Sequence, residues 1–318
     1  MPRHAHFVPN GVIPAVLLPF ADDLAIDEKS FRSHLADVAA VEGLAAVTIN
    51  AHSTEVASCT FDEQRRVLDI AQDEIGGRLP IVNGVWADGS LEAARIARMA
   101  DDGGASALLV FPPAPFTLGQ SPAMAVEHFK RIAGASGLPI IVFQYPLATG
   151  QGYPRDTLLK MIEEVPTIRA IKDWAGNVPQ HEMHIRELQN LPRPVNVLTT
   201  HSAWLLSSLV LGANGLLSGS GSVIADLQAA LFRAIKANDL AAARRLNDRI
   251  YPLARVFYAE PWADMHNRMK EALVLLGRLP RAVVRPPLVK LGRAEIDRIR
   301  AALVEAGLLP ATASRDAA

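Results

Sequence analysis

The sequence predicts a (β/α)8 barrel of the TIM type with a C-terminal helical extension. Three observations carry that expectation. Eight short apolar runs alternate strictly with longer amphipathic segments up to Lys236, and such alternation argues for parallel strands, because each crossover must return over one face of the sheet. The apolar runs show little polar alternation, as expected of strands covered on both faces. A doubly wound open sheet is the runner-up, but no G-x-G-x-x-G turn follows the first run.

The elements follow in pairs. Strand Val12–Leu17 precedes helix Ser30–Glu42, Ala45–Ile49 precedes Asp62–Ile75, and Pro80–Asn83 precedes Ser90–Asp102. Ala105–Val110 leads into Pro122–Ala135, and Pro139–Phe143 into Arg155–Glu163. Thr167–Lys172 pairs with Gln180–Gln189, Pro194–Leu198 with Ser202–Leu211, and Asn214–Ser218 with Val223–Lys236. The rhythm then changes. Leu240–Tyr258 and Trp262–Leu276 read as helices with no strand between them, and a last helix near Ala294–Ala306 follows the stretch Arg285-Pro286-Pro287. The barrel is therefore expected over residues 8–236, a helical region packed on it over 237–310, and a frayed tail over 311–318.

Composition narrows the partners. Half of the 318 residues are hydrophobic, enough for a large core, and 33 acidic residues nearly cancel 32 basic ones. No block of like charge reads as a nucleic-acid or membrane arm. Cys59 stands alone, which excludes an intramolecular disulfide and fits a reducing compartment. Residues 1–10 lack the pattern of a secretory signal, and no apolar run is long enough to span a bilayer. The expectation is a cytoplasmic protein that binds neither nucleic acid nor membrane.

In such a barrel, chemistry sits at the C-terminal ends of the strands and in the loops that follow. That rule selects His52, Ser53, Thr54, Glu55, Asn83, Trp86, Phe143, Tyr145, Lys172, Asp173, Thr200, His201, Ser218 and Ser220. Lys172 stands out because the other lysines fall in helices or connecting segments, whereas it ends a buried-looking strand. One register points Ile168, Ala170 and Lys172 inward together. Desolvation of an ammonium lowers its pKa and supplies the free amine that a carbonyl substrate needs. The competing reading is a lysine that snorkels to solvent.

These segments resemble the dihydrodipicolinate synthase/N-acetylneuraminate lyase family of class I aldolases, from Gly11 to about Leu309. The resemblance is carried by Gly11-Val-Ile-Pro-Ala-Val-Leu-Leu-Pro-Phe20, by Ala170-Ile-Lys-Asp173 with Gly176-Asn177, by Gly215-Leu-Leu-Ser-Gly219, and by Arg285-Pro-Pro-Leu288 with Glu295-Ile-Asp-Arg-Ile-Arg300. It implies a Schiff base on Lys172, no cofactor, and a homotetramer built as a dimer of dimers. Departures mark a divergent member rather than a true dihydrodipicolinate synthase. The family's Gly-x-x-Gly-Glu loop, which holds the pyruvate carboxylate, is Ala51-His-Ser-Thr-Glu55 here. Phe143 occupies the position of the proton-relay tyrosine, and Tyr145 lies two residues on, about 6–7 Å nearer the mouth. Ala148 replaces the arginine that holds the second substrate's carboxylate, and Pro113 or Ala114 the tyrosine lent by a neighbouring subunit.

The expected catalytic residues are Lys172, Tyr145 and His52, the last two being rival proton carriers, since a histidine titrates near neutrality. Ser53, Thr54, Phe143, Leu217 and His201 are expected to bind substrate, with Ser53 on the carboxylate. Glu55 is expected to tie down its loop, and Asp173 to point away from Lys172. Trp86, Phe111, Phe116 and Trp174 would form either an apolar pocket or ordinary packing. No metal is expected, because His52, Glu55 and His201 match no trusted ligand spacing, and His181 and His184 read as a solvated i, i+3 pair. Phosphate-loop, nicotinamide and G-x-S-x-G signatures are absent. The reading is a Schiff-base lyase acting on a 2-oxo acid by aldol cleavage or condensation. Its rivals are a sugar-acid or aromatic-pathway dehydratase/hydratase on the same scaffold, and a non-catalytic 2-oxo-acid-binding barrel.

Overall fold

A computed structural model describes residues 3–310; the expected tail at 311–318 lies outside the described residues. Eight strands form one parallel sheet: β1 (Gly11–Pro14), β2 (Val47–Ile49), β3 (Ile81–Val85), β4 (Ala107–Val110), β5 (Ile140–Gln144), β6 (Ile168–Asp173), β7 (Asn196–Thr199) and β8 (Gly215–Ser218). Their order is β1-β8-β7-β6-β5-β4-β3-β2, and parallel bridges from Val12 to Leu44 and from Ala15 to Thr48 close the ring between β1 and β2. The (β/α)8 expectation therefore holds.

Each strand is followed by a helix: α1 (Glu28–Ala39), α2 (Phe61–Glu74), α3 (Ser90–Asp102), α4 (Pro122–Ala135), α5 (Arg155–Glu164), α6 (Val178–Leu188), α7 (Leu205–Val210) and α8 (Gly221–Lys236). Local chemistry starts several of them. Thr60 and Glu63 form a capping box at α2, and Asn177 accepts from the Gln180 amide at α6. The segment expected as one helix over Ser202–Leu211 is instead a 3₁₀ turn, Ser202–Trp204, followed by the short α7.

The barrel divides its apolar residues into two layers. Ile13, Val82, Leu109, Ile141, Ala170, Leu198 and Leu217 fill the interior, while the outward-facing residues join the helices in a larger outer core. The expected register of β6 needs one correction. Ile140 pairs with Ile168 but Ile141 pairs with Ala170, so the register slips at Arg169. Ile168 belongs to the outer core, and only Ala170 and Lys172 share the interior face. An irregularity of this kind re-aims the side chains beyond it.

Beyond the barrel, α9 (Leu240–Phe257), α10 (Met265–Leu275) and α11 (Arg293–Glu305) form the extension. The helix expected from Trp262 begins as a 3₁₀ turn, Trp262–Asp264, before α10. Buried charges bind this region to the barrel. Lys270 on α10 donates to the Glu55 carboxylate and to the Val283 carbonyl (2.8 Å), and the Arg285 amide donates to the other Glu55 oxygen at 3.0 Å. Glu55 thus ties down its loop as expected, but its partners come from the extension. No helix among the described residues is long and apolar enough to cross a membrane.

Candidate active site

A cavity of about 260 Å³ opens at the C-terminal end of the barrel. The strands deliver its floor: Ala15 beyond β1, His52 and Ser53 beyond β2, Phe143 on β5, Lys172 on β6, Thr200 and His201 beyond β7, and Gly219 beyond β8. Trp174, Ser202 and Trp204 continue the wall, and Tyr258, Trp262, Met265 and His266 cover it from the extension.

Lys172 is 6% exposed, and its Nζ lies 3.9 Å from the centroid of the Phe143 ring. It does not snorkel. Burial pushes its pKa down from 10.5 to about 7, so a large fraction is free amine at neutral pH. The Phe143 ring shields the amine on one side and offers no titratable group.

The β2 loop is shaped by close backbone approach. A Cβ on Gly84 would sit 1.8 Å from the Asn50 carbonyl oxygen, so only glycine lets β3 pass beneath the turn. The Asn50 amide donates to Asn83 and to the Gln64 carbonyl, both at 2.8 Å, which gives Asn83 a structural place outside the cavity lining. The His52–Thr54 turn then points two neighbours into the cavity. The Ser53 hydroxyl is buried without a hydrogen-bond partner, a costly state in a folded protein and one that a ligand oxygen would relieve.

Tyr145 and His52, expected as rivals, are partners: His52 lines the cavity, and Tyr145 stands behind it, outside the lining. The Tyr145 hydroxyl and His52 Nε2 are 3.1 Å apart, beside Phe143, whose ring centroid lies 4.6 Å from that of Tyr145 and 5.9 Å from that of His52. Burial, reinforced by the Lys172 charge, lowers the His52 pKa to about 3, and burial raises that of Tyr145. The expectation that His52 titrates near neutrality is corrected: its ring is desolvated against Trp86 and Phe111, at 5.2 and 4.7 Å between centroids.

Three other expectations change. Thr54 lies outside the lining, because its hydroxyl donates to the Ala51 carbonyl at 2.8 Å and stabilises the turn. Leu217 is sealed in the barrel interior, below the cavity. Phe116 packs with Tyr153 in the outer layer, and of the four aromatics proposed for a pocket only Trp174 lines it.

Asp173 points away from Lys172, as alternation requires. Its carboxylate accepts from His181 Nδ1 at 2.7 Å, from His184 Nδ1 at 2.8 Å and from the Ala175 amide at 2.8 Å. Burial favours its protonation, but the two imidazole hydrogen bonds outweigh that and hold its pKa below the usual carboxylate range. The solvated reading of His181 and His184 is overturned: both are buried, on the face of α6 that meets β6. Asp173, His181 and His201 bring ligand atoms within 4.8 Å of one another, yet Asp173 already accepts three hydrogen bonds, and His201 Nε2 stays 4.0 Å from it. His201 lines the cavity as expected, stacked on Trp204 with centroids 3.9 Å apart, and burial lowers its pKa to about 4.

Tyr258, Trp262 and His266 were invisible to a search of strand ends, although their spacing of four was a faint signal of one shared face. The Tyr258 hydroxyl accepts from the Ser220 amide at 3.2 Å. A Cβ on Gly219 would come within 3.1 Å of His266 Nε2, and burial drives the His266 pKa well below its ordinary value.

Comparison with known proteins identifies the family to which this barrel belongs. The profile of the Dihydrodipicolinate synthetase family matches residues 8–306. A 4-hydroxy-tetrahydrodipicolinate synthase from Methanopyrus kandleri is 29% identical over 303 residues, covering 95% of this chain and 97% of the relative. One from Acidobacterium capsulatum is 30% identical over 310 residues, covering 95% and 97%. Among solved structures, a dihydrodipicolinate synthase from Thermotoga maritima superposes with a TM-score of 0.87 at 21% identity, covering 96% of this chain and all of the other. YagE, a prophage protein of the dihydrodipicolinic acid synthase family from E. coli K12 in complex with pyruvate, gives 0.86 at 22% identity, covering 94% and 99%. The chain therefore belongs to the dihydrodipicolinate synthetase family and is a lyase of that family.

Proposed function

We propose that the protein condenses or cleaves a 2-oxo acid, pyruvate in the simplest case, through a Schiff base on Lys172. The observation that carries this is one buried amine, with a pKa lowered to about 7, in a cavity beside a buried hydroxyl that has no partner. Lys172 Nζ attacks the ketone carbon, the ketone oxygen leaves as water, and the protonated imine draws electrons from C3. Ser53 holds the carboxylate. His52, which lines the cavity and stays neutral, passes the proton between the substrate and the Tyr145 hydroxyl behind it, accepting from that hydroxyl when its own proton sits on Nδ1. This divides the relay between two residues, in place of the tyrosine for which Phe143 stands.

Lysine biosynthesis is not part of this reading. Ala148 is exposed on the turn after β5, and among the described residues no arginine lines the cavity to take a second carboxylate. Water loss after condensation uses the same imine and relay, so a dehydratase or hydratase differs only in the fate of the new hydroxyl. A purely binding role fits poorly with a desolvated lysine, whose burial costs stability that a reactive amine would justify. We also propose a homo-oligomer, tetrameric as the resemblance implies. Leu118 and Leu147 are exposed on neighbouring loops joined by Gln120 donating to the Gly150 carbonyl, and sedimentation velocity tests the assembly.

Borohydride reduction with pyruvate, followed by peptide mass spectrometry, tests the chemistry. The expected result is a reduced adduct on the peptide containing Lys172, absent in Lys172→Ala. Folded protein that gives no adduct with pyruvate or other 2-oxo acids would overturn the proposal.

A further inference from the structure

We infer that the carbonyl compound joining or leaving at C3 is an uncharged aromatic aldehyde, gripped by Trp174, Trp262, His201 and Trp204. The inference rests on the Schiff-base reading above and names the other half of its substrate.

Charge is the first argument. Among the described residues Lys172 is the only Lys, Arg, Asp or Glu lining the cavity, and imine formation uses its amine. His52, His201 and His266 are each desolvated and stay neutral near pH 7. A carboxylate or phosphate on the second substrate would enter without a counter-charge, which is expensive in a desolvated site.

Hydrogen-bonding capacity is the second. A polyhydroxylated aldehyde needs several free donors and acceptors, yet the Ser202 hydroxyl is paired with Ser218 at 3.2 Å and the Tyr258 hydroxyl accepts from the Ser220 amide; His201 Nε2 has no partner among the described residues, but its ring lies against Trp204. Aromatic surface is the third. Trp174 and Trp262 lie 5.4 Å apart between centroids at 58°, and His201 lies nearly flat on Trp204 at 23°. Rings so arranged suit a further ring in offset or edge contact. Trp262 remains 49% exposed, an apolar surface at the rim that such a ligand would cover.

The chemistry balances without an external oxidant or reductant. Loss of a C3 proton from the imine gives the enamine. Its C3 then attacks the aldehyde carbon to form the new bond, and the aldehyde oxygen takes a proton to become a hydroxyl. Water hydrolyses the imine, releasing a 4-aryl-4-hydroxy-2-oxobutanoate and restoring the amine; cleavage runs the same steps backwards.

The test compares benzaldehyde, glyceraldehyde and 4-oxobutanoate as partners of pyruvate in the full-length protein. Expected is a kcat/KM for benzaldehyde at least tenfold above either competitor. Trp262→Ala should raise the KM for benzaldehyde about tenfold and move its ratio to glyceraldehyde toward one, with Trp262→Phe restoring most of the preference. Borohydride trapping with pyruvate alone is run in parallel. A pyruvate adduct on Lys172 with no benzaldehyde preference, or a preference untouched in Trp262→Ala, overturns the aromatic subsite and leaves the imine reading standing. No pyruvate adduct overturns the imine reading, and this inference with it.

Discussion

At the scale of single residues, the site is governed by desolvation. Lys172 keeps a lowered pKa because burial opposes its charge and no carboxylate faces it to offset that. In the proposed reaction the free amine is the nucleophile, so imine formation should rise as pH increases through about 7 and level off above pH 8. A stopped-flow pH series with pyruvate checks this; a rise that continues to pH 10 would mean that Lys172 titrates as an exposed lysine does. The Tyr145–His52 pair makes a second prediction. Tyr145→Phe removes the proton and should lower kcat by about 10²-fold or more, with the borohydride adduct still formed. His52→Phe removes the acceptor and should depress kcat in the same direction. If neither variant alters kcat, the relay lies elsewhere. Lys172 was legible in the sequence because a lysine at the end of an apolar strand is out of place. The union of Tyr145 with His52 was not, since 93 residues separate them and only the curvature of the barrel brings β2 to β5.

Among the elements, β6 and α6 depend on each other. Two imidazoles on one helix face and one carboxylate on the strand would each be costly to bury alone, and together they are satisfied. Asp173→Ala should leave both imidazole N–H groups and the Ala175 amide without their acceptor, costing about 3–5 kcal/mol. Urea unfolding measures the loss, and a change under 1 kcal/mol would show that the cluster contributes little. The same cluster makes stability fall in acid. The Asp173 carboxyl has a lowered pKa in the folded state, so its contribution is complete above the unfolded carboxylate range and is lost as pH drops toward the folded value. Helical periodicity placed His181 and His184 on one face. Nothing local told that face from the solvated one, because histidine suits either.

For the whole molecule, the extension completes the cavity. Glu55 carries the β2 loop at a left-handed φ of 50° and meets Lys270 and the Arg285 amide, so the turn bearing His52 and Ser53 is braced by residues more than 200 positions away. Lys270→Met leaves the Glu55 carboxylate buried without its counter-charge and should cost about 3–5 kcal/mol, read as a lowered urea midpoint. Imine formation should weaken with it, because the loop proposed to orient the carboxylate loosens. Unaltered stability would mean that solvent already reaches Glu55. All four tryptophans, Trp86, Trp174, Trp204 and Trp262, stand at or just behind the cavity, so intrinsic fluorescence reports on this end of the barrel.

The sequence by itself determined the eight-fold strand–helix alternation, the helical extension and the lysine at the end of an apolar strand. These are written in local periodicity and in one residue whose chemistry clashes with its surroundings. Tertiary structure alone decided which face each of these residues takes: Ile168 outside the barrel after the slip at Arg169, Thr54 and Leu217 away from the cavity, His181 and His184 buried, and Tyr258, Trp262 and His266 along the cavity wall. The physical reason is that burial and partnership are set by distant segments, and the pKa values on which the chemistry depends follow from that burial.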